Sequence, residues 1–263
     1  MSSISSVFSS PDHKALIAYI TVGYPSIEAT LELVPLLARS GCDIVELGVP
    51  FSDPLADGAT IQNADFHALQ NGVTLKLCVD TARQLRQKVE IPLVIMSYFN
   101  PIYKYGCDNF CNDSTDYGIN GIIIPDLPPE ESGELEAAAD KYKLDLIYLL
   151  APTSSEERIK LVALKSRGFI YLVSVTGITG ARKSLPPGLN SFVDRVREAA
   201  SQPLCIGFGI SSAQQARQIA TIADGIIVGS RIIQLVESGV TSFKEVEDFV
   251  SELRNALDNP AIL

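Results

Sequence analysis

Short apolar runs rich in β-branched residues alternate along the chain with longer stretches whose apolar positions recur at helical spacing. The runs predict strands near 16–21, 43–47, 92–98, 121–125, 145–150, 169–174, 203–208 and 224–228. They are nearly continuous in apolar residues, as expected of parallel strands covered by helices. The stretches between them predict helices, among them 27–40, 74–89, 130–141, 155–167, 189–200, 212–221 and 243–257. Ser26 is placed to cap the first of these, and Ser154 followed by Glu157 has the spacing of a capping box. Gly41 and Gly168 fall where helix C-caps are expected.

This alternation reaches the C-terminus without a linker, a repeat array or a low-complexity segment. About eight strand–helix units in a chain of 263 residues predict one domain, 1–263, with the α/β fold of a single (βα)8 TIM barrel. Pattern alone leaves an open doubly wound sheet as the alternative. No Gly-x-Gly-x-x-Gly follows the first strand, so the usual dinucleotide fingerprint is missing. In a barrel the active site gathers where the strands end. That rule singles out Thr21, Glu46, Tyr98, Asp126, the loop 174–180, Gly207–Ser211 and Gly229–Ser230.

Composition narrows the function. With 31 acidic against 21 basic side chains the formal charge is −10, which argues against a broad nucleic-acid or anionic-membrane surface. A single phosphate is still compatible, since the start of a helix binds one locally through backbone N–H groups. The five cysteines, Cys42, Cys78, Cys107, Cys111 and Cys205, form no paired framework and no zinc-ligand pattern, so reduced thiols are expected. His13 and His67 stand far apart in the sequence, and no metal site is expected. Neither a signal peptide nor a membrane-length apolar run is visible, which makes a soluble cytoplasmic protein the expectation.

Glu46 lies inside an apolar strand, flanked by Val45 and Leu47, so it points either into the barrel or toward the helices. In either place a carboxylate is costly unless it has a partner or a task, and an internal salt bridge competes equally with a catalytic role. Asp53 and Asp57 follow in a loop rich in Pro and Gly, where turn chemistry alone would account for an aspartate. Their position beside Glu46 at the strand ends brings acid–base chemistry by two carboxylates into view. At the other end of the chain, Gly207–Ser211 and Gly229–Ser230 each close a strand and open a helical stretch. A phosphate cup after strands seven and eight is a recurring barrel feature. The loop from Ser174 to Arg182 is small, flexible and hydroxyl-bearing, the character of a lid, with Gly180 near the phosphate when closed.

Val45 to Gly58, continuing through Thr60, Ile61 and Gln62, resembles the signature segment of tryptophan synthase alpha chains. The resemblance extends over essentially the whole chain, through Ala18–Thr21, Tyr98–Ile102, Gly121–Pro128, Ala151–Pro152, Tyr171–Gly180, Gly207–Ser211 and Gly229–Ser230. It implies retro-aldol cleavage of indole-3-glycerol phosphate to indole and glyceraldehyde 3-phosphate. It also implies no cofactor on this chain, and a partner beta chain carrying pyridoxal phosphate in an α2β2 complex. Glu46 matches the family's general acid–base, and Asp57 the carboxylate that hydrogen-bonds the indole N–H. Tyr171 aligns beside the substrate and Thr179 with the lid residue that contacts the Asp57 loop. Gly180, Gly209, Gly229 and Ser230 match phosphate-binding positions, and Tyr19, Met96, Ile123, Leu149 and Phe208 the indole pocket. Taken singly, each pocket residue reads more readily as barrel core than as pocket. Ala59 replaces a common proline and His67 a usual arginine, both outside the catalytic positions.

Other barrel chemistries fit less well. A metal-dependent sugar-phosphate epimerase needs a His/Asp cluster at strand ends, and indole-glycerol-phosphate synthase chemistry needs a lysine there; neither is present in the predicted strands. A free-standing indole-glycerol-phosphate lyase would use the same Glu46 and Asp57. An inactive scaffold that only binds a beta chain would have no need of either.

Overall fold

Nine strands make up one all-parallel sheet among the described residues of a computed structural model, which are 3–10, 12–173, 187–207, 209–238 and 242–259. They are β1 (Ala15–Thr21), β2 (Ile44–Gly48), β3 (Leu93–Met96), β4 (Gly121–Ile123), β5 (Asp145–Ile147), β6 (Leu149–Leu150), β7 (Ile170–Val173), β8 (Leu204–Gly207) and β9 (Gly225–Val228). Their order is β5-β4-β3-β2-β1-β9-β8-β7-β6. The two outermost pieces, β5 and β6, are consecutive stretches of one segment. The sheet therefore closes on itself as an eight-stranded barrel, and the open-sheet alternative falls. The strand expected at 145–150 is split at Tyr148, whose N–H donates to the Ser166 hydroxyl instead of joining the ladder.

Alternation along each strand sorts the apolar residues into two layers. Ile17, Tyr19, Ile44, Val94, Met96, Ile123, Ile147, Tyr171, Cys205 and Ile227 fill the barrel. Leu16, Ala18, Val45, Leu47, Ile95, Leu172 and Ile206 pack outward under the helices. Glu46 is in step with Ile44, opposite to Val45 and Leu47, so it points inward. Below it the barrel is plugged by the short helix Ser3–Val7, which buries Ile4 completely.

Ser26 caps helix Ile27–Arg39 by accepting from the Ala29 N–H, and Gly41 follows the C-cap with φ 103°. At helix Glu156–Lys165 the cap is Ser155, accepting from Arg158 N–H, not Ser154; the Ser154 hydroxyl accepts from Ala151 N–H and closes the preceding turn. Gly168 lies beyond the C-cap Ser166. Besides the plug Ser3–Val7, three helices fall where no helix was expected: Ala59–Gln70, Phe99–Tyr105 and Cys107–Asp116. The first buries Ile61, Ala64, Asp65 and Ala68, an i, i+3, i+4, i+7 stripe interrupted by a carboxylate. All five cysteines are buried and unpaired. Among the described residues no helix is long and apolar enough to cross a membrane.

Candidate active site

Glu46 is wholly enclosed, and neither of its carboxylate oxygens has a hydrogen-bond partner among the described residues. A charge there would lose its hydration without compensation, so burial raises its pKa from the ordinary 4.5 to about 8. At neutral pH the group holds a proton. Its neighbours are the two tyrosines that project into the upper barrel. Tyr19 pairs with Glu46 across the β1–β2 ladder, and the Glu46 charge is felt at both Tyr19 and Tyr171. Those rings fit because glycine faces them: a Cβ at Gly48 would collide with the Tyr19 hydroxyl, and one at Gly207 with the Tyr171 hydroxyl.

Asp57 is also buried, at 7% exposure, and accepts a 2.7 Å hydrogen bond from the Tyr98 hydroxyl. Tyr98 in turn accepts from Ala56 N–H at 2.9 Å and stacks on Phe51 at 4.9 Å between centroids. Gln62 Nε2 donates to the Asp57 carbonyl at 2.8 Å. The loop of Phe51 to Gly58 is thus clamped at both the side chain and the backbone of its carboxylate. Burial still raises the Asp57 pKa, with the Tyr98 bond working in the opposite direction.

Two cavities open on this face and share Asp57 and Gly58 as their common wall. The smaller, of 160 Å³, brings Tyr19, Met96, Tyr171, Gly209, Gly229 and Ser230 together with Asp57. Ser230 opens helix Ser230–Ser238, whose first backbone donors have no acceptor within the helix, so this part of the cavity can cradle an anion. At Gly229 a Cβ would come within 3.1 Å of Tyr19, which ties the cradle to the pocket wall. The larger cavity, of 580 Å³, is bounded by Leu149, Val173, Ile124–Pro129 and the exposed Leu55. Ile123 is fully buried in the barrel interior and lines neither cavity. Thr179, Gly180 and Phe208, with the expected lid, lie outside the described residues.

Sequence reasoning passed over Asp65. It is 2% exposed and accepts from the Thr21 hydroxyl at 3.2 Å; burial raises its pKa to about 7, with the Asp57 charge adding to the shift. The buried stripe of its helix was the available signal.

An enclosed acid, a second carboxylate on an anchored loop and an anion cradle on one barrel face define a (βα)8-barrel enzyme that moves protons on a small anionic substrate. A profile of tryptophan synthase alpha chains matches residues 6–260. The tryptophan synthase alpha chain of Dehalococcoides mccartyi is 59% identical over 98% of this chain and 100% of its own length. That of Geobacter sulfurreducens is 48% identical, with the same coverage. Among solved structures, tryptophan synthase from Mycobacterium tuberculosis superposes with TM-score 0.91 at 36% identity, covering 97% of this chain and 98% of that one. The alpha subunit from Legionella pneumophila does so with TM-score 0.91 at 34% identity, covering 98% and 99%. The chain belongs to the tryptophan synthase alpha chain family. Alpha chains are aldolase-type lyases that cleave indole-3-glycerol phosphate and pass indole to the beta subunit. They carry no cofactor of their own; pyridoxal phosphate belongs to the beta chain of the α2β2 complex.

Proposed function

We propose that Glu46 is the acid–base of this lyase and Asp57 the carboxylate that steadies the charged indole ring. The observation that carries the reading is Glu46 itself, enclosed, inward-pointing and without a hydrogen-bond partner among the described residues. Breaking the bond between indole C3 and the glycerol side chain requires C3 to become tetrahedral, so that the ring nitrogen can draw in the bonding electrons. Glu46, protonated at neutral pH, gives its proton to C3. The ring becomes a cation with its charge at nitrogen, and the Asp57 carboxylate accepts a hydrogen bond from the indole N–H. Glu46, now a carboxylate, takes the proton of the glycerol hydroxyl next to C3. The C–C bond breaks, its electrons restore the indole, the hydroxyl carbon becomes the aldehyde of glyceraldehyde 3-phosphate, and Glu46 ends protonated as it began.

Gly209, Gly229 and Ser230, with Gly180, hold the phosphate. Tyr19, Met96, Leu149, Tyr171 and Phe208 form the indole pocket, and Thr179 ties the lid to the Asp57 loop. Residues 1–263 act as one domain in the cytoplasm. The test is indole release from indole-3-glycerol phosphate, with and without the beta chain, by Glu46→Gln and Asp57→Asn proteins. Each substitution should lower turnover on the order of 100-fold or more while leaving the far-UV spectrum unchanged. Near-normal turnover in both variants ends the mechanism.

A further inference from the structure

Asp57 is not the only carboxyl in the buried region between its loop and the barrel. Asp65 reaches the same place from helix Ala59–Gln70 and is the more enclosed of the two, at 2% against 7% exposure. Its Oδ1 accepts from the Thr21 hydroxyl at the end of β1, and that hydroxyl lies 3.4 Å from the Tyr19 hydroxyl in the substrate cavity. Its carboxyl also takes a backbone hydrogen bond from Phe51, the residue that opens the Asp57 loop and stacks on Tyr98. Tyr98 donates to Asp57. One continuous path therefore joins Thr21, Asp65, Phe51, Tyr98 and Asp57.

We propose that Asp65 is a positioning residue of the active site: its carboxyl fastens the Asp57 loop to β1, and a second charge there displaces the Asp57 carboxylate. The inference rests on the role given to Asp57 above. The groups facing Asp65 leave a second charge without compensation. They are Asp57 from the loop, Tyr19 and Thr21 from β1, Tyr98 beyond β3, and Cys78 from helix Leu75–Arg86. Helix Ser230–Ser238 packs on the same helix, but its Arg231 is exposed and bonded to Gln234, and its Glu237 is exposed. No ion pair reaches Asp65 among the described residues. Two carboxylates in one poorly hydrated site do not both ionise readily. With Asp57 as the carboxylate of the mechanism, Asp65 keeps its proton to about pH 7 and Glu46 to about pH 8.

The test is the pH profile of kcat/KM for indole release, which reports ionisations of the free enzyme. The parent should decline on the alkaline side through about pH 7, from Asp65. Asp65→Asn keeps an acceptor oxygen for the Thr21 hydroxyl without a charge, and its decline should move to higher pH, toward about 8, where Glu46 loses its proton. A purely structural role would change kcat or KM without moving this limb. Carboxyl ¹³C NMR supplies a measurement that does not depend on folding of the Asp65 variant: in Asp57→Asn protein the Asp65 carboxyl should titrate lower than in the parent. Superimposable profiles for Asp65→Asn and parent, or an Asp65 titration indifferent to Asp57→Asn, overturn the inference and leave the catalytic pair standing. Turnover that survives Glu46→Gln and Asp57→Asn removes the catalytic reading and this inference with it.

Discussion

The two ends of the barrel treat buried polar groups in opposite ways. At the N-terminal end, three residues that immediately precede strands act as staples. Asp43 accepts from Leu16 N–H at 2.8 Å and from Arg254; Asn120 accepts from Leu93 N–H at 2.9 Å and from Arg86; Asp224 accepts from Leu204 N–H at 2.8 Å and from Arg197. Each binds the start of a neighbouring strand and is held by an arginine from the outer helices. At the C-terminal end the carboxyls of Glu46, Asp57 and Asp65 have no arginine and few donors among the described residues, and burial raises the pKa of all three. One end spends its polar groups on holding strands together, and the other leaves them reactive. The difference teaches that a carboxyl's partners, more than its depth, say whether it serves the fold or the chemistry.

The largest effect should come from removing the most isolated group. Glu46→Gln should remove the proposed proton transfer, and it should also stabilise the protein at alkaline pH. The Glu46 pKa rises on folding from 4.5 to about 8. Below pH 4.5 the folded and unfolded states are both protonated there, so the group is neutral to stability. Above it the folded state holds a proton that the unfolded state has lost, and stability falls until about pH 8, where the full cost is present. Urea unfolding of Glu46→Gln should therefore show a gain over the parent of roughly 2–4 kcal/mol at pH 9 and little difference near pH 4.5. Equal stability of the two proteins at pH 9 would mean that Glu46 is not the unpaired carboxyl described, and the contrast between the ends would lose its strongest member.

The staples should respond in the reverse sense. Asp43→Ala leaves the Leu16 N–H and the Arg254 guanidinium short of an acceptor in a half-buried place, and His13 loses its 2.8 Å partner. A loss of roughly 2–4 kcal/mol of stability is expected, with kcat for indole release within about twofold of the parent below the new melting temperature. A variant that unfolds no earlier but turns over slowly would break the division between the two ends.

How far this division could be read from the sequence depends on the residue. The strands were legible because a closed parallel barrel buries both faces of each one. The same property concealed the direction of Glu46, since apolar neighbours on either side say nothing about which layer is the interior. Helix Ala59–Gln70 was hidden because Asp65 interrupts its apolar stripe, and the residue that obscured the helix is the one with a role at the site. The break at Tyr148 and the cap at Ser155 rather than Ser154 turn on single hydroxyl bonds, which a pattern of apolar positions does not carry. Glu46 and Asp57 stood out by their place at the end of the second strand, and the signature segment then implied their roles; their burial and partners only the folded chain displays.

The smallest of these effects is expected at Tyr98, where the two ends can be compared for one hydrogen bond. Tyr98→Phe removes the 2.7 Å bond to Asp57 and leaves Ala56 N–H without its acceptor, while the ring can still stack on Phe51. The Tyr98 bond holds the Asp57 pKa down against burial, so its loss should push that pKa higher. Asp57 acts as a carboxylate, and the acid limb of kcat/KM should therefore move toward neutral pH. Stability should fall by only about 1 kcal/mol, the net worth of an ordinary hydrogen bond, and less than at Asp43. The variant should lose more activity at acid pH than at alkaline pH. An acid limb that stays in place, with activity lowered evenly at all pH values, would mean that Tyr98 supports the loop without tuning its carboxylate.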